Sequence, residues 1–477
     1  MAVSIQSELV KDETYFTKVL MKILVTAHKF GESAMKKDAN NLNVSTDNEK
    51  AIDEINFFIQ ELLSSGKSAD VILNAASTYP DVLLIQTYAA AFNLYSQTDT
   101  NSSNAANYLK VAEKTLETST QREKLFYYII LSWQQLDYEL TLTLLKSFTK
   151  LYPQDLAAIK IAEWIFYCTG QSYNAKQFLS MCETVKGYHK DNSHFLAIYA
   201  FALELAGDFS TAYEIAQRAL TINPLTPWAH HALAHVYMMQ GQMSSGIHVL
   251  ELYQPTWEDI MPLLKGHNTW HLGLLYIAEL KMEKAALLYP KNIWGPYPKN
   301  VLQQMDAISF LWRMEMAGVP QDAAWQTISR FMAKHPYEHY MPYNNAHYVY
   351  ALIKSGNKEG AHQVVADIEG YARELGTVGY RVWHEVSRPL LRGCLAFAEG
   401  DYQKSSALLK PIIDDAFCLG GSDAQVELFL QTYLMSLIYS GQKKLANNFF
   451  KKYFSHYELT PLGKSWLEKI HVNDVSL

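Results

Sequence analysis

Six histidines are concentrated in residues 228–271, WAHHALAHVYMMQGQMSSGIHVLELYQPTWEDIMPLLKGHNTWH. Four of them form two pairs with a spacing of four residues, His231 with His235 and His267 with His271. On an α-helix, side chains four residues apart project from the same face. Two such pairs on neighbouring helices would converge on one point. Because imidazole is the commonest transition-metal ligand in proteins, one hypothesis is a zinc or iron site on these four histidines.

Asp306 is a candidate partner for these rings, because it lies one turn inside an apolar helical pattern, MDAISFLW (305–312). A carboxylate there needs a partner, and two or three imidazoles with one aspartate suit zinc or iron. The pattern favours a hydrogen-bonded network of neutral histidines, asparagines and tyrosines that lines a polar pocket. A third interpretation is scattered structural histidines. The run HHALAH lacks the glutamate that acts as general base in an H-E-x-x-H motif. A binding function is therefore favoured over a catalytic one.

Further side chains would reach the same pocket if a helical array curls tightly. They are Asn268, Trp270, Asn344, His347 and Gln425. The alternative for the polar members is helix capping and hydrogen bonding between helices. Residues 420–425, GGSDAQ, have the composition of an anion-binding helix N-terminus. The spacing of Ser422 and Gln425 favours an ordinary capping box instead.

The elements that must position these residues form a repeated helical pattern from about residue 104 onward. The clearest copy is SHFLAIYAFALELAGDFSTAYEIAQRALTINP (193–224), in which two amphipathic helices flank a Gly207-Asp208 turn. Ala212 takes the small-residue position, and Pro224 ends the unit. This is the tetratricopeptide pattern, with a period near 34 residues. The sequence therefore predicts an all-α fold, an α–α superhelix that is a tetratricopeptide-like solenoid of antiparallel helix pairs.

We expect one continuous solenoid with three parts. They are an N-terminal helical cap (1–105), regular repeats with His-rich central units (106–290), and divergent helical repeats with a C-terminal cap (291–477). Helices are predicted near 5–30, 47–64, 81–95 and from about Asn300, and a short helix with a frayed tail over 459–477. Residues 96–104, SQTDTNSSN, read as a loop by composition. No strand is convincingly predicted.

Composition narrows the class of protein. Hydrophobic residues make up 49% and charged residues 19%, which predicts a packed core rather than disorder. The formal net charge of −7 argues against a nucleic-acid surface. The four cysteines form no C-x-x-C pair and indicate buried thiols in a reducing compartment. No signal-peptide pattern and no apolar run of about 20 residues is found, so we expect a cytoplasmic protein without a membrane partner.

Several segments, in this order, resemble the tetratricopeptide repeat protein 38 family. They are QREKL (121–125), ALTINPLTPWAHHALAHV (219–236), HNTWHLGL (267–274), DAISFLWRMEMAGVP (306–320), YNNAHYVYA (343–351) and LGGSDAQ (419–425). The resemblance covers about residues 70–450 and implies a tetratricopeptide-like helical array, without a settled activity. The family pattern is matched at His231, His235, His267, Asn268, Trp270, His271, Asp306, Asn344, Ala346, His347 and Gln425.

Two positions depart from that family pattern. Where the family tends to show His-Glu-Met after the second histidine, this chain has Tyr237, Met238 and Met239. Where the family has Asn-Asp-Ala-His, Asn345 replaces the aspartate. Both changes remove a carboxylate, so a role that depends on those carboxylates is in doubt.

The sequence predicts that a peptide, a partner protein or a small ligand binds in a polar, His/Asn-lined concave pocket. The alternative is a metal-dependent enzyme of the hydrolase or oxidoreductase class, with histidine-ligated zinc or iron inside the superhelix. A clamp for a C-terminal carboxylate is not indicated, because the groove candidates are histidines, asparagines and aromatics rather than lysine and arginine.

Overall fold

The computed structural model describes residues 35–471, apart from the side chains of residues 377 and 378. Nearly all of its regular structure is helical, so the predicted all-α class is confirmed. The helix predicted at 5–30 and the tail at 472–477 lie outside the described residues. The helices are α1 Glu49–Ser64, α2 Val71–Thr78, α3 Leu83–Leu94, α4 Asp99–Ala112, α5 Gln121–Gln134, α6 Tyr138–Leu151, α7 Leu156–Thr169, α8 Ala175–Val185, α9 Ser193–Leu205, α10 Phe209–Ile222, α11 Pro227–Met239, α12 Met243–Tyr253, α13 Pro262–Ala278, α14 Met282–Leu288, α15 Val301–Met316, α16 Asp322–Met332, α17 Pro342–Lys354, α18 Lys358–Ala372, α19 Thr377–Tyr380, α20 Arg388–Ala398, α21 Tyr402–Leu409, α22 Asp423–Tyr439, α23 Lys443–Tyr453 and α24 Pro461–His471.

Short helical segments of other types join several of these helices. The 3-10 segments are Glu113–Thr118, Lys186–Tyr188, Gln254–Asp259, His335–Tyr337, Ile413–Leu419 and Ser455–Tyr457. The π-helical segments are Tyr289–Ile293 and Arg381–Ser387. None of the helices in the described range is long and apolar enough to cross a membrane.

A two-stranded antiparallel ribbon, β1 Lys36–Lys37 and β2 Asn43–Val44, is the one feature of strand type in the described residues. It lies between the helices predicted at 5–30 and 47–64, where no strand is predicted. Asp38 accepts hydrogen bonds from the backbone N–H groups of Asn40 and Leu42, which folds the connection back on itself. Such local side-chain bonding closes a tight turn without an apolar alternation that would mark a strand in the sequence.

The predicted loop at 96–104 is wrong in part, because α4 begins at Asp99. The Thr98 hydroxyl caps this helix by accepting from the backbone N–H of Asn101. Polar residues such as threonine and asparagine are favoured at helix starts as well as in loops. Composition alone therefore does not separate the loop from the first turn of the helix.

The pair α9 and α10 has the predicted repeat geometry. Gly207 has a positive φ of 85°, which glycine adopts at little cost, and Asp208 caps α10 by accepting from the Thr211 N–H. Ala212 and Ala219 are fully buried, as expected where two helix backbones come close. Antiparallel pairs of this kind fit the predicted helical-repeat superhelix.

The chain divides into two compact units, one up to residue 63 and over 68–162, the other over 64–67 and from 163 onward. In the first, Arg122 is buried and pairs with Asp38 and Asp155, each with one nitrogen–oxygen distance of 2.7 Å. In the second, helices from successive repeats pack side by side: α9 on α11, α11 on α13, α13 on α15, and α15 on α17 and α22. This order brings together the helices that carry the candidate site.

Candidate metal centre

The two histidine pairs lie on the neighbouring helices α11 and α13. Each helix starts with a proline at its first position, Pro227 and Pro262, where the missing N–H costs nothing. The side chain of Asn268 donates to the carbonyl of Pro227 over 3.2 Å, which ties α13 to the start of α11. The predicted site residue Asn268 is therefore used to hold the two helices together.

Three of the rings converge on one point. Nε2 of His231 lies 3.2 Å from Nε2 of His267, and the ring of His271 lies 4.8 Å from each of theirs, centre to centre. One ring nitrogen from each of His231, His267 and His271 lies within 4.8 Å of the others. We call these three residues the histidine trio. The donor set is one that zinc and iron use.

Asp306 stands behind the trio, as its place in an apolar helix predicts. Its carboxylate oxygens lie 3.0 and 3.1 Å from Nδ1 of His267. A neutral imidazole that donates from Nδ1 keeps a lone pair on Nε2, and that nitrogen faces His231. A carboxylate that accepts a hydrogen bond from a metal-binding histidine is a common arrangement in metal sites. It orients the imidazole and raises its basicity.

His271 is the most isolated member of the trio. It is 1% exposed, and neither ring nitrogen makes a hydrogen bond of acceptable geometry with another described residue. Burial, together with the neighbouring His235, His231 and His267, holds its pKa well below the usual value. The ring is therefore neutral and has a lone pair to offer. An unsatisfied buried polar group costs about 1–3 kcal/mol, and a bound ion would remove that cost.

His235 faces a different set of groups from the trio, although its ring lies only 4.6 Å from that of His271. Its Nδ1 is 2.9 Å from Oδ1 of Asp423 and 3.6 Å from Oε2 of Glu204. One ligand atom from each of Glu204, His235 and Asp423 lies within 4.8 Å of the others. We call these three residues the carboxylate group.

The two carboxylates of this group have opposite pKa shifts. Burial, and then the negative charge of Asp423, raise the pKa of Glu204 well above its usual value. Burial opposes ionisation of Asp423 as well, but the adjacent His235 lowers its pKa overall. In the metal-free protein, Glu204 is therefore the neutral member and Asp423 the charged one.

Trp270 packs beside the trio and is fully buried. Its ring stacks on His267 at an interplanar angle of 11°, and its Nε1 donates to the Ser309 hydroxyl over 2.8 Å. The guanidinium of Arg313 lies 5.4 Å from the centre of the same ring. Burial lowers the pKa of Arg313. Trp270 thus serves as an apolar wall that fixes the His267 ring.

The remaining predicted residues are not in the trio or the carboxylate group. His347 is buried against Tyr343, with Nδ1 lying 2.8 Å from the Tyr343 carbonyl, and burial lowers its pKa to about 3. Gln425 forms the predicted capping box with Ser422 at the start of α22. Asn344 lies on α17, one turn before His347, and is also buried. These residues support the helices that surround the centre.

His230 and His248 take no part in the centre. Trp257 donates to Nδ1 of His230 over 3.1 Å, and Nε2 of His230 lies 3.0 Å from the Pro224 carbonyl. Both ring nitrogens are thereby used, and burial lowers the pKa of this histidine to about 4. His248 is exposed. His230 is therefore a structural histidine, as the interpretation of scattered structural histidines would have it.

Glu204 and Asp423 are site residues that the sequence reasoning missed. Glu204 lies in the apolar run LAIYAFALELA (196–206), where a carboxylate is as unusual as Asp306 is in its own helix. The same signal, an acid on a buried helix face, would have found it. Asp423 is the first residue of α22, and an acid there is so common for electrostatic reasons that it gives no signal of its own.

The positions that depart from the family pattern lie outside both clusters. Met238 is buried in the core, and the side chain of Asn345 donates to the carbonyls of Pro336 and Glu338. The lost carboxylates therefore remove no member of the trio or of the carboxylate group. The chain matches no protein-family model.

Proposed function

We propose that this protein binds a divalent transition-metal ion, zinc or iron, through His231, His267 and His271, and that a small ligand or substrate occupies the open coordination position. The observation that carries the proposal is the convergence of three buried ring nitrogens with a carboxylate behind one of them. Three protein ligands with a free fourth position are typical of catalytic rather than structural zinc sites. The function is then that of a metal-dependent enzyme of the hydrolase or oxidoreductase class.

Access to the ion supports a reactive role. The side chains of His267 and Asp306 are 18% and 11% exposed, whereas His271 is enclosed. The centre is thus closed on one side and reaches solvent on the other. An ion enters from the open side, and a water molecule or a small ligand exchanges there.

Metal analysis of the purified full chain tests this proposal. Metal-free protein is reloaded with zinc or cobalt, dialysed, and its metal content and cobalt absorption spectrum are measured. We expect a stoichiometric ion with a four-coordinate cobalt spectrum, which the variant His271→Ala loses. The matched control is His347→Ala, since His347 is equally buried but lies outside the trio. A cobalt spectrum and a number of bound ions in His271→Ala equal to those of the wild type, or an equal loss in both variants, contradict the proposal.

Partner binding is a second candidate function, supported by a different surface. A cleft of about 480 Å³ is lined by the acids Asp322 and Glu399, by Glu315, which pairs with Lys354 of the same cleft, and by the aromatics Tyr402 and Tyr439. Acidic and aromatic side chains together suit a basic segment of a partner peptide. Charge reversal at Asp322 and Glu399 is expected to abolish binding of a lysine-rich peptide in a titration at low salt.

We also propose that the chain belongs to the tetratricopeptide repeat protein 38 family and that it is located in the cytoplasm. The family is supported by the ordered motifs and by the helical-repeat fold. The location is supported by Cys168, Cys182, Cys394 and Cys418, all of which are buried free thiols. Detection of the tagged chain by fractionation tests the location directly.

A further inference from the structure

The side chain of Glu204 is fully enclosed, and this is unusual for a carboxylate in the middle of an apolar helix. Its carboxyl group lies close enough to that of Asp423 to share a proton with it, and its oxygens make no other side-chain hydrogen bond with a described residue. A buried acid must be neutralised, either by a proton or by a cation. No described lysine or arginine forms an ion pair with it. The groups that could hold a cation together with Glu204 are therefore His235 and Asp423.

Those neighbours are arranged around His235. Its Nδ1 lies between the two acids, 2.9 Å from Asp423 and 3.6 Å from Glu204. The cationic Arg313 donates to the backbone carbonyl of Ala424 over 2.7 Å and not to the Asp423 side chain. Arg313 therefore does not pair with the Asp423 carboxylate, which stays available to a metal ion.

We infer that Glu204, His235 and Asp423 form a second binding site for a divalent transition-metal ion, beside the one on the histidine trio. Two carboxylates and one imidazole suit zinc, iron or manganese. An ion here would take the place of the proton that keeps Glu204 neutral in the metal-free protein. The inference rests on the proposed function only for the neighbouring first ion, because its own ligands are separate.

The two sites are adjacent. The ring of His235 lies 4.6 Å from the ring of His231 and 4.6 Å from that of His271, centre to centre. Asp423 is 17% exposed at its side chain, so this group also has an edge that an ion can reach. A pair of neighbouring ions is the arrangement that hydrolytic enzymes use to hold both a substrate oxygen and the attacking water.

The competing explanation is a proton on Glu204, and the variant Glu204→Gln separates the two. Glutamine has the shape of the protonated acid but is a poor metal ligand. With a proton, Glu204→Gln binds as many ions as the wild type. With a metal, the second ion is lost or weakened by more than the roughly 10–100-fold that removal of a supporting residue costs.

The experiment is a titration of the metal-free full chain with Zn²⁺ alone and with Mn²⁺ alone, followed by calorimetry and by elemental analysis. We expect two ions per wild-type chain, one per chain for Glu204→Gln, and two for the control Glu338→Gln. Glu338 is also buried but bonds His335. Circular dichroism checks that each variant is folded, and Asp423→Asn provides a second test of the same site.

The outcomes distinguish the two claims. One ion that His271→Ala removes and Glu204→Gln retains overturns this inference and leaves the proposed function standing. One ion that Glu204→Gln removes and His271→Ala retains does the reverse. Two ions in Glu204→Gln overturn the second site, and no bound ion in the wild type overturns both.

Discussion

Nε2 of His231 lies 3.2 Å from Nε2 of His267, and the two rings come from neighbouring helices of the array. At this distance the two nitrogens cannot both carry a proton towards each other. Either one proton is shared between them, or both lone pairs point at a common ion. Since Asp306 accepts from Nδ1 of His267, the Nε2 lone pair of that ring is the one available.

Asp306→Asn is expected to weaken metal binding without removing a ligand. The amide is neutral, so it raises the basicity of His267 less than a carboxylate does, and the affinity for zinc should fall by about 10–100-fold. Competition with a chromophoric chelator measures this change. The control is Asp322→Asn, the same substitution at an exposed site. An affinity unchanged in Asp306→Asn would show that the ion does not use His267.

The metal-free protein should lose stability as the pH falls below about 6.5. Burial lowers the pKa of His347 from 6.5 to about 3, so between these values the unfolded chain binds a proton that the folded chain does not. Each such histidine reduces the free energy of unfolding by about 1.4 kcal/mol per pH unit across that window. Urea unfolding at pH 7, 6 and 5 measures the slope.

The variant His347→Leu tests that assignment, because it removes the titrating ring. Its slope should be flatter than that of the wild type by one histidine's contribution. His248→Leu, at an exposed position, should leave the slope unchanged. An identical slope in His347→Leu and the wild type would show that His347 is not the group that takes up the proton.

Arg122→Met should destabilise the first compact unit by about 3–5 kcal/mol, because it leaves Asp38 and Asp155 buried without a counter-charge. Thermal and urea unfolding measure the loss. Arg218→Met is the matched control: Arg218 pairs with Asp191 at the surface, and loss of such a pair costs at most about 1 kcal/mol. Equal losses in the two variants would contradict the buried network.

Gly273→Ala should disturb the centre through packing. A Cβ atom at Gly273 would lie 2.4 Å from the Phe310 ring, so α13 and α15 would have to separate. Overpacking of this kind costs about 1–3 kcal/mol, and it moves His271 relative to Asp306, so zinc affinity should fall as well. Gly187→Ala meets no atom within 4 Å and serves as control. A wild-type affinity in Gly273→Ala would mean that the helix spacing does not position the ligands.

The convergence of the histidines was predictable because two regular spacings combine. A spacing of four residues fixes the face of each helix, and repeat stacking fixes that α11 and α13 are neighbours. Asp306 was predictable because a carboxylate inside an apolar helix requires a partner. These inferences depend on local periodicity, which the sequence records directly.

The separation of roles within the cluster was not predictable in the same way. A metal site on all four histidines was the hypothesis, but His235 faces Glu204 and Asp423 while the other three face one another. Asp423 reaches the group across a large sequence separation, from a helix start that looks like an ordinary cap. Such contacts depend on how closely repeats that are far apart in sequence approach each other. The residue spacing within one repeat does not encode that distance.

The most direct test of the central claim is the zinc K-edge X-ray absorption spectrum of the full-length Glu204→Gln variant, which lacks the second site, loaded with one equivalent of zinc. We predict a first shell at about 2.0–2.1 Å with the scattering pattern of three imidazoles, and fewer imidazoles in His271→Ala. A first shell of water and carboxylate oxygens, or of thiolate sulfur at about 2.3 Å, would contradict a metal centre on His231, His267 and His271.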